Sequence, residues 1–127
     1  MSEPKTILIA VSDIFFYTKI RDAFKPQGYH LERLRNSETL LEKAKEHQPM
    51  GVIINMNDDR LPAQDILRTL KTTPETQALP VLAFANHEEI ETWKSAKELG
   101  IQKIVSRNEF SARTLALFEE MTSSPTS

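Results

Sequence analysis

The sequence has no cysteine and only three glycines among its 127 residues. Without cysteine the chain cannot form disulfides, thiol nucleophiles or thiolate metal sites. Its glycines, Gly28, Gly51 and Gly100, stand too far apart for a GxGxxG or a GxxxxGK(S/T) motif, so the usual nucleotide-binding loops are excluded. No apolar run approaches the roughly 20 residues of a membrane-spanning helix, and residues 1–5 lack the apolar stretch of a signal peptide. A cytoplasmic protein is therefore predicted.

A strong excess of one charge is also missing, because 16 basic residues face 18 acidic ones and the net charge is −2. Basic and acidic residues are both spread along the chain, so we expect no groove that binds nucleic acid and no binding to an anionic membrane. The hydrophobic (39%) and charged (27%) fractions are those of an ordinary globular protein. The length predicts one domain over residues 1–127, with a core from about residue 5 to residue 121 and a flexible tail at 122–127.

Short apolar runs alternate with segments that repeat apolar residues every three or four positions. The predicted strands are Thr6–Val11, Tyr29–Leu34, Gly51–Asn55, Leu79–Ala85 and Ile101–Val105. The predicted helices are Ile14–Phe24, a segment starting at Asn36–Thr39 and ending before Pro49, Ala63–Lys71, Glu88–Leu99, and Ser111–Met121 with Ser111 as its cap. Five strand–helix pairs in strict alternation predict a doubly wound parallel α/β sheet with helices on both faces.

The ends of the predicted strands are the positions most relevant to function. In sheets of this kind the functional crevice lies at the carboxyl ends of the strands, where the strand order reverses. The side chains to consider therefore lie in Val11–Asp13, Asn55–Asp59, Ala85–His87 and Ser106–Arg107.

Several ordered motifs resemble one known family. Ile7–Ile9 leads to a polar strand end, and Gly28-Tyr29 follows the first helix at the family's distance. Leu79–Leu82 opens the fourth strand, and Leu99–Ile101 is followed by Ile104–Arg107. In order and spacing the chain resembles the receiver domains of bacterial two-component response regulators over nearly its whole length. The resemblance implies a flavodoxin-like fold with strand order 2-1-3-4-5, in which the second strand is an edge.

The resemblance also implies which residues a working receiver needs. An acidic pair after the first strand and an aspartate after the third hold Mg²⁺ and accept the phosphoryl group, while a hydroxyl and a lysine bind its oxygens. Here the corresponding residues form a degenerate acceptor pocket of Val11, Ser12, Asn55, Ala85 and Arg107, with Asp13 one position late. An amide such as that of Asn55 cannot form an acyl phosphate.

The resemblance therefore narrows to atypical, or pseudo-receiver, domains that lack the phospho-acceptor aspartate. It implies a non-enzymatic module of a bacterial signalling pathway with no cofactor, no metal and no catalytic residue, which acts by phosphorylation-independent protein–protein interaction. Its partner surface would be the fourth helix, fifth strand and fifth helix (88–99 and 101–121), used for docking to another protein or for homodimerisation.

A second register places the acceptor at Asp58. The segment from Asp58 to Pro62, followed by Asp65 and Lys71, fits the family's spacing from the acceptor to the third helix. The chain would then be a phosphorylatable single-domain response regulator. This register extends the third strand three residues beyond Ile54 or requires a bulge, so a solvated loop at Asp58 and Asp59 is the favoured interpretation.

Other side chains near the crevice support weaker hypotheses. Arg107 is predicted to pair with Asp13 and to lock the crevice, whereas His87 is expected to be a hydrogen-bonded loop residue because the sequence offers it no second histidine. One ring of Phe15–Tyr17 should face the crevice mouth or a partner. Trp93 is expected to fill the core. A small-ligand crevice lined by Phe16, Ala85 and Arg107 is a third alternative.

Overall fold

The computed structural model describes residues 5–123 and places strands and helices in strict alternation along most of the chain. The strands are β1 (Lys5–Ala10), β2 (Tyr29–Arg33), β3 (Gly51–Asn55), β4 (Val81–Ala85) and β5 (Lys103–Ser106). The helices are α1 (Ile14–Phe24), α2 (Ser37–His47), α3 (Ala63–Thr72), α4 (Ile90–Glu98), α5 (Arg107–Ala112) and α6 (Thr114–Ser123), and a 3-10 turn at Lys25–Gln27 follows α1.

The five strands form one parallel sheet in the order β2-β1-β3-β4-β5. Ile9 of β1 lies opposite Arg33 on one side and Ile53 on the other. Strand β2 is therefore an edge, while β1 and β3 are interior strands. The predicted flavodoxin-like topology is confirmed.

Alternate residues of the strands supply two cores, one on each face of the sheet, because successive strand side chains point to opposite sides. Ile7 and Ile9 pack with α1, α5 and α6, where Phe24 and Phe118 are fully buried. Leu8 and the side chains on its face pack with α2, α3 and α4. Within residues 5–123, none of the helices combines the length and the apolar character that crossing a membrane requires.

Gly51 starts β3 beneath the ring of Phe118. A Cβ atom at position 51 would lie 2.7 Å from two ring carbons of Phe118, a distance that real Cβ contacts do not reach. The fully buried ring cannot move aside easily. Glycine is therefore required here for close packing rather than for backbone freedom.

The last helical segment differs from its prediction. Ser111 is not a helix cap, because the helix begins directly after β5 and Ser106 caps it, its Oγ accepting a hydrogen bond from Glu109 N at 3.1 Å. A break at Arg113 then separates α5 from α6, so six α-helices replace the predicted five within residues 5–123. Helix α6 extends to Ser123, which removes 122–123 from the predicted tail, and residues 124–127 lie outside the described residues.

Four of the five strands have bounds that differ from the predicted ones. Strand β1 covers Lys5–Ala10 rather than Thr6–Val11, and β2 ends at Arg33 rather than at Leu34. Strand β4 begins at Val81 rather than Leu79, since Pro80 lacks the N–H that a ladder position would use. Strand β5 covers Lys103–Ser106 rather than 101–105. By contrast, β3 and α1 have the predicted bounds.

Candidate signalling crevice

A polar cavity of ≈ 370 Å³ opens at the carboxyl ends of β1 and β3. Such a position is expected, because β1 and β3 flank the point where strand order reverses. The cavity is lined by Ser12, Asp13, Ile14, Asn55, Asn57, Asp58, Asp59 and Arg60.

Asp58 lines this cavity from the loop between β3 and α3 and is half-buried. Its Oδ2 accepts a hydrogen bond from Ser12 N at 2.7 Å, and its Oδ1 accepts from Ser12 Oγ at 2.6 Å and from Arg60 N at 2.9 Å. The carboxylate is thus held against the end of β1, 46 residues away in sequence. The expected solvated loop therefore describes Asp59, which is exposed, whereas Asp58 is half-buried because Ser12 offers it two donors.

Asn55 is the last residue of β3 and is 6% exposed. Its side-chain Oδ1 accepts from Asn57 N at 3.0 Å, and its carbonyl accepts from Asp58 N at 3.3 Å. Asn57 in turn accepts a hydrogen bond from Asn86 N after β4 through its side-chain oxygen. Asn55 therefore fixes the β3–α3 loop, and that loop aims Asp58 at Ser12.

Neither of the two positions that the resemblance assigns to an acidic pair carries a carboxylate. The next residue, Asp13, has a carboxylate, but it caps a helix. Val11 is 1% exposed and belongs to the core, while Ser12 binds Asp58. Asp13 is the N-cap of α1, where its Oδ1 accepts from Phe15 N at 2.8 Å and from Phe16 N at 3.2 Å. Such a cap stabilises a helix start by about 0.5–2 kcal/mol.

The remaining two positions of the pocket lie on the other side of the crevice. Ala85 is fully buried, so its methyl group offers no polar atom to a ligand. Arg107 is exposed, and its guanidinium carbon lies 5.8 Å from the centroid of the Phe16 ring. A smaller cavity of ≈ 170 Å³ is lined by Asn86, His87, Arg107 and Asn108.

The predicted lock between Arg107 and Asp13 is wrong. Across residues 5–123, no ion pair joins Arg107 to a carboxylate. The physical reason lies in the helix starts: Asp13 is used to cap α1, and Arg107 begins α5 with its side chain over Phe16.

The acceptor-pocket residues do not fit a magnesium site of the receiver kind. The acidic-pair positions are an aliphatic side chain and a hydroxyl, and both oxygens of Asp58 already accept hydrogen bonds. In the part of the chain that the structure describes, the three crevice carboxylates Asp13, Asp58 and Asp59 do not form a set whose ligand atoms lie within 4.8 Å of one another. Mg²⁺ needs oxygen ligands in near-octahedral geometry, which Val11 cannot supply and which Ser12 and Asp58, bonded to each other, do not leave free.

The aromatic residues near the crevice divide between core and surface. Phe16 is 8% exposed and its ring centroid lies 4.8 Å from that of Phe84, whereas Phe15 is 58% exposed. Phe15 therefore lies at the surface and Phe16 in the core, while the prediction that one of these rings faces the crevice mouth or a partner stays a prediction. Trp93 packs against the α2–α3–α4 core and donates its indole N–H to Asn86 O at 3.0 Å. Because Phe16 and Ala85 are buried, they do not line the predicted small-ligand crevice.

Sequence reasoning missed the contact between Ser12 and Asp58. The resemblance marks Ser12 only as a degenerate acidic position, because its use as a double donor depends on the path of the β3–α3 loop. The spacing from Asp58 to Pro62 was the one available signal that Asp58 belongs to the crevice.

No family model matches the chain. Over 80 residues, which are 63% of this chain and 65% of the relative's length, it is 26% identical to the polar-differentiation response regulator DivK of Brucella anthropi. The receiver domain of NtrX from Brucella abortus superposes with a TM-score of 0.76 at 18% identity, covering 94% of this chain and 99% of that domain. The chain has the receiver fold.

A second receiver structure shows the same fold with an ion bound. The receiver domain of a sensor histidine kinase from Pseudomonas aeruginosa has a TM-score of 0.78 and 12% identity, and covers 95% of this chain and 99% of that domain. That structure has magnesium coordinated in its active-site cleft.

Proposed function

We propose that this chain is a pseudo-receiver, a receiver-fold signalling module that acts by protein contact without accepting a phosphoryl group. The observation that carries the proposal is Asn55, which stands buried at the end of β3 with its amide bound to the next loop. An amide is neutral and cannot attack phosphorus as a carboxylate does.

The surrounding residues support the same function. Val11 and Ala85 are buried apolar groups where a receiver uses a carboxylate and a hydroxyl, and neither can bind an ion or a phosphoryl oxygen. Arg107 keeps a positive charge but presents a planar fork rather than a point charge, and it lies over Phe16. The crevice is thereby a structural element and not a reaction site. The protein is proposed to be non-enzymatic.

The proposed partner surface is formed by α4, β5 and the α5–α6 segment, by resemblance to receivers. Ile90 at the start of α4 is 73% exposed, which is unusual for a large apolar side chain and suits a contact residue. The partner would be another signalling protein or a second copy of this chain. Ile90→Asp should weaken such a complex, whereas the exposed neighbour Glu91→Asp provides a matched control.

A second candidate function is phosphorylation of Asp58. One observation favours it: the carboxylate of Asp58 faces a polar cavity at the receiver's reaction edge instead of bulk solvent. Its two oxygens would have to exchange the Ser12 and Arg60 hydrogen bonds for an ion and a phosphoryl group.

Incubation with acetyl phosphate and Mg²⁺, followed by mass spectrometry of peptides, separates the two functions. We expect no acyl-phosphate adduct on any peptide that contains Asp58. An adduct that disappears in Asp58→Asn and persists in Asp59→Asn would overturn the pseudo-receiver proposal. Beryllofluoride binding measured by ¹⁹F NMR gives an independent check on the same pair of variants.

A further inference from the structure

Two histidines and a glutamate converge beside the edge strand β2. His30 and Glu32 alternate along β2 and so project from the same face, and His47 lies in the last turn of α2, which covers that face. Their ligand atoms all lie within 4.8 Å of one another. Among residues 5–123, this is the only group of three or more histidine or acidic side chains with such spacing.

The atoms of the cluster are arranged around one carboxylate oxygen. His30 Nε2 is in direct contact with Glu32 Oε2, and His47 Nε2 lies 3.5 Å from the same oxygen. In a tetrahedral site with bonds of about 2.0–2.1 Å, two donor atoms are about 3.4 Å apart. The separation of 3.5 Å between His47 Nε2 and Glu32 Oε2 matches two ligands that share one ion. His30 Nε2 is in hydrogen-bond contact with the same oxygen, so its ring would have to move away from Glu32 to admit the ion.

The second oxygen of Glu32 is occupied by a different group. Lys43 Nζ donates to Glu32 Oε1 at 2.8 Å. This contact orients the carboxylate so that Oε2 faces both imidazoles, as outer hydrogen-bond partners do for metal-bound carboxylates.

We propose that His30, Glu32 and His47 form a binding site for a divalent transition-metal ion, with Zn²⁺ as the best match. Two imidazole nitrogens and one carboxylate oxygen are a known protein ligand set for zinc with one coordination position left open. Imidazole ligands favour zinc, copper or nickel over the hard ions Mg²⁺ and Ca²⁺.

The open position would face solvent. The His30 side chain is 44% exposed, while those of Glu32 and His47 are 18% and 22% exposed. Glu46 Oε1 lies 3.8 Å from His47 Nε2 and adds a further carboxylate at the mouth of the site. A water molecule or a side chain of a partner protein could therefore complete the coordination.

The site is separate from the crevice. His30 lies opposite Thr6 near the start of β1, whereas the crevice follows the end of β1. Metal binding would tie the last turn of α2 to the edge strand, and it would do so without any carboxylate of the receiver cleft. It is thus a property of this chain beyond the proposed pseudo-receiver function.

Isothermal titration of the tag-free full chain with ZnCl₂ tests the site, and the chain provides its own control. The sequence has three histidines, and the third, His87, is exposed at the crevice. We expect one Zn²⁺ per chain, at least tenfold weaker binding in His30→Ala, His47→Ala and Glu32→Gln, and unchanged binding in His87→Ala. Mg²⁺ at the same concentrations should give no heat from this site.

An NMR measurement on the wild-type chain tests the same site without variants, so misfolding of a variant cannot affect its result. With only three imidazoles, NMR of the wild-type chain should show the His30 and His47 signals broadened by substoichiometric Co²⁺ while the His87 signals stay sharp. Absence of saturable Zn²⁺ binding, equal binding in His47→Ala and wild type, or preferential broadening of His87 would each overturn the proposal. In the first case the cluster is a hydrogen-bonded ion network only.

Discussion

The crevice and the β2-edge cluster use their acidic side chains in opposite ways. In the crevice, Asp58 and Asp13 are engaged by Ser12 and by the α1 backbone, so the carboxylates serve the fold. At the edge of the sheet, one carboxylate oxygen of Glu32 faces the imidazoles of His30 and His47. The comparison teaches that the position of a carboxylate in the fold does not by itself determine which groups it contacts. A carboxylate whose oxygens accept hydrogen bonds from the backbone or from Ser12 stabilises the fold, whereas one that faces imidazole nitrogens can share a metal ion with them.

The largest expected effect concerns the aromatic core around Phe16. Phe16→Ala removes a ring packed against Phe84 and Phe110 and should lower the free energy of unfolding by about 3–5 kcal/mol. Phe15→Ala, one residue earlier and 58% exposed, should cost less than about 1 kcal/mol. Urea denaturation of both variants measures the difference. Similar midpoints would mean that the Phe16 ring contributes little to the stability of the core.

A smaller effect is expected at the crevice carboxylate. Asp58→Ala leaves Ser12 N–H, Ser12 O–H and Arg60 N–H without their acceptor, which should cost about 1–3 kcal/mol. Asp59→Ala changes an exposed neighbour and should stay within about 0.5 kcal/mol of wild type. Thermal and urea unfolding provide the measurement. Equal stabilities would show that the Ser12–Asp58 contact contributes nothing to the fold.

The edge cluster should behave differently, with an effect that depends on the metal. In the presence of a chelator, His47→Ala should change stability by less than about 1 kcal/mol, since its ring is a partly exposed surface group. With Zn²⁺ at 100 times its Kd, wild type should gain about 2.7 kcal/mol that the variant lacks. Melting curves with and without zinc measure this. A zinc-dependent gain that persists in His47→Ala would contradict the assigned ligands.

The smallest effect is expected at Arg107. Its guanidinium lies over Phe16 without an ion pair to a described carboxylate, so Arg107→Ala should cost no more than about 1 kcal/mol. Arg68→Ala on α3 is the matched exposed variant. The two proteins should melt within a few degrees of each other. A much lower melting temperature for Arg107→Ala would mean that this side chain stabilises the crevice by more than its contact with Phe16.

The fold could be predicted from the sequence where one physical signal dominated. Strand β3 is an uninterrupted apolar run that stops at an amide, and α1 starts at a capping aspartate and stops before Pro26, so both have the predicted bounds. The start of α5 could not be predicted in the same way. Ser106 is both the last residue of β5 and the N-cap of α5. A sequence-based prediction that assumes a loop between strand and helix therefore places the helix start too late, at Ser111.

The site was less predictable because its contacts join distant segments. The orientation of Asp58 depends on a loop fixed by Asn55 and Asn57, and neither residue signals this from its position in the sequence. His30 and His47 are 17 positions apart and meet only because α2 returns over the edge strand. Alternation of His30 and Glu32 on β2 was visible, but the third ligand required the packing of α2.

The contact between Gly51 and Phe118 has a consequence for how the sequence can change. With a Cβ at position 51 placed 2.7 Å from the Phe118 ring, an alanine there is excluded unless the ring becomes smaller. The two positions are 67 residues apart in the sequence, yet a substitution at one of them limits which residues the other can carry. Homologues that carry a side chain at position 51 should carry a residue smaller than phenylalanine at position 118, and the double variant Gly51→Ala/Phe118→Leu should be more stable than Gly51→Ala alone.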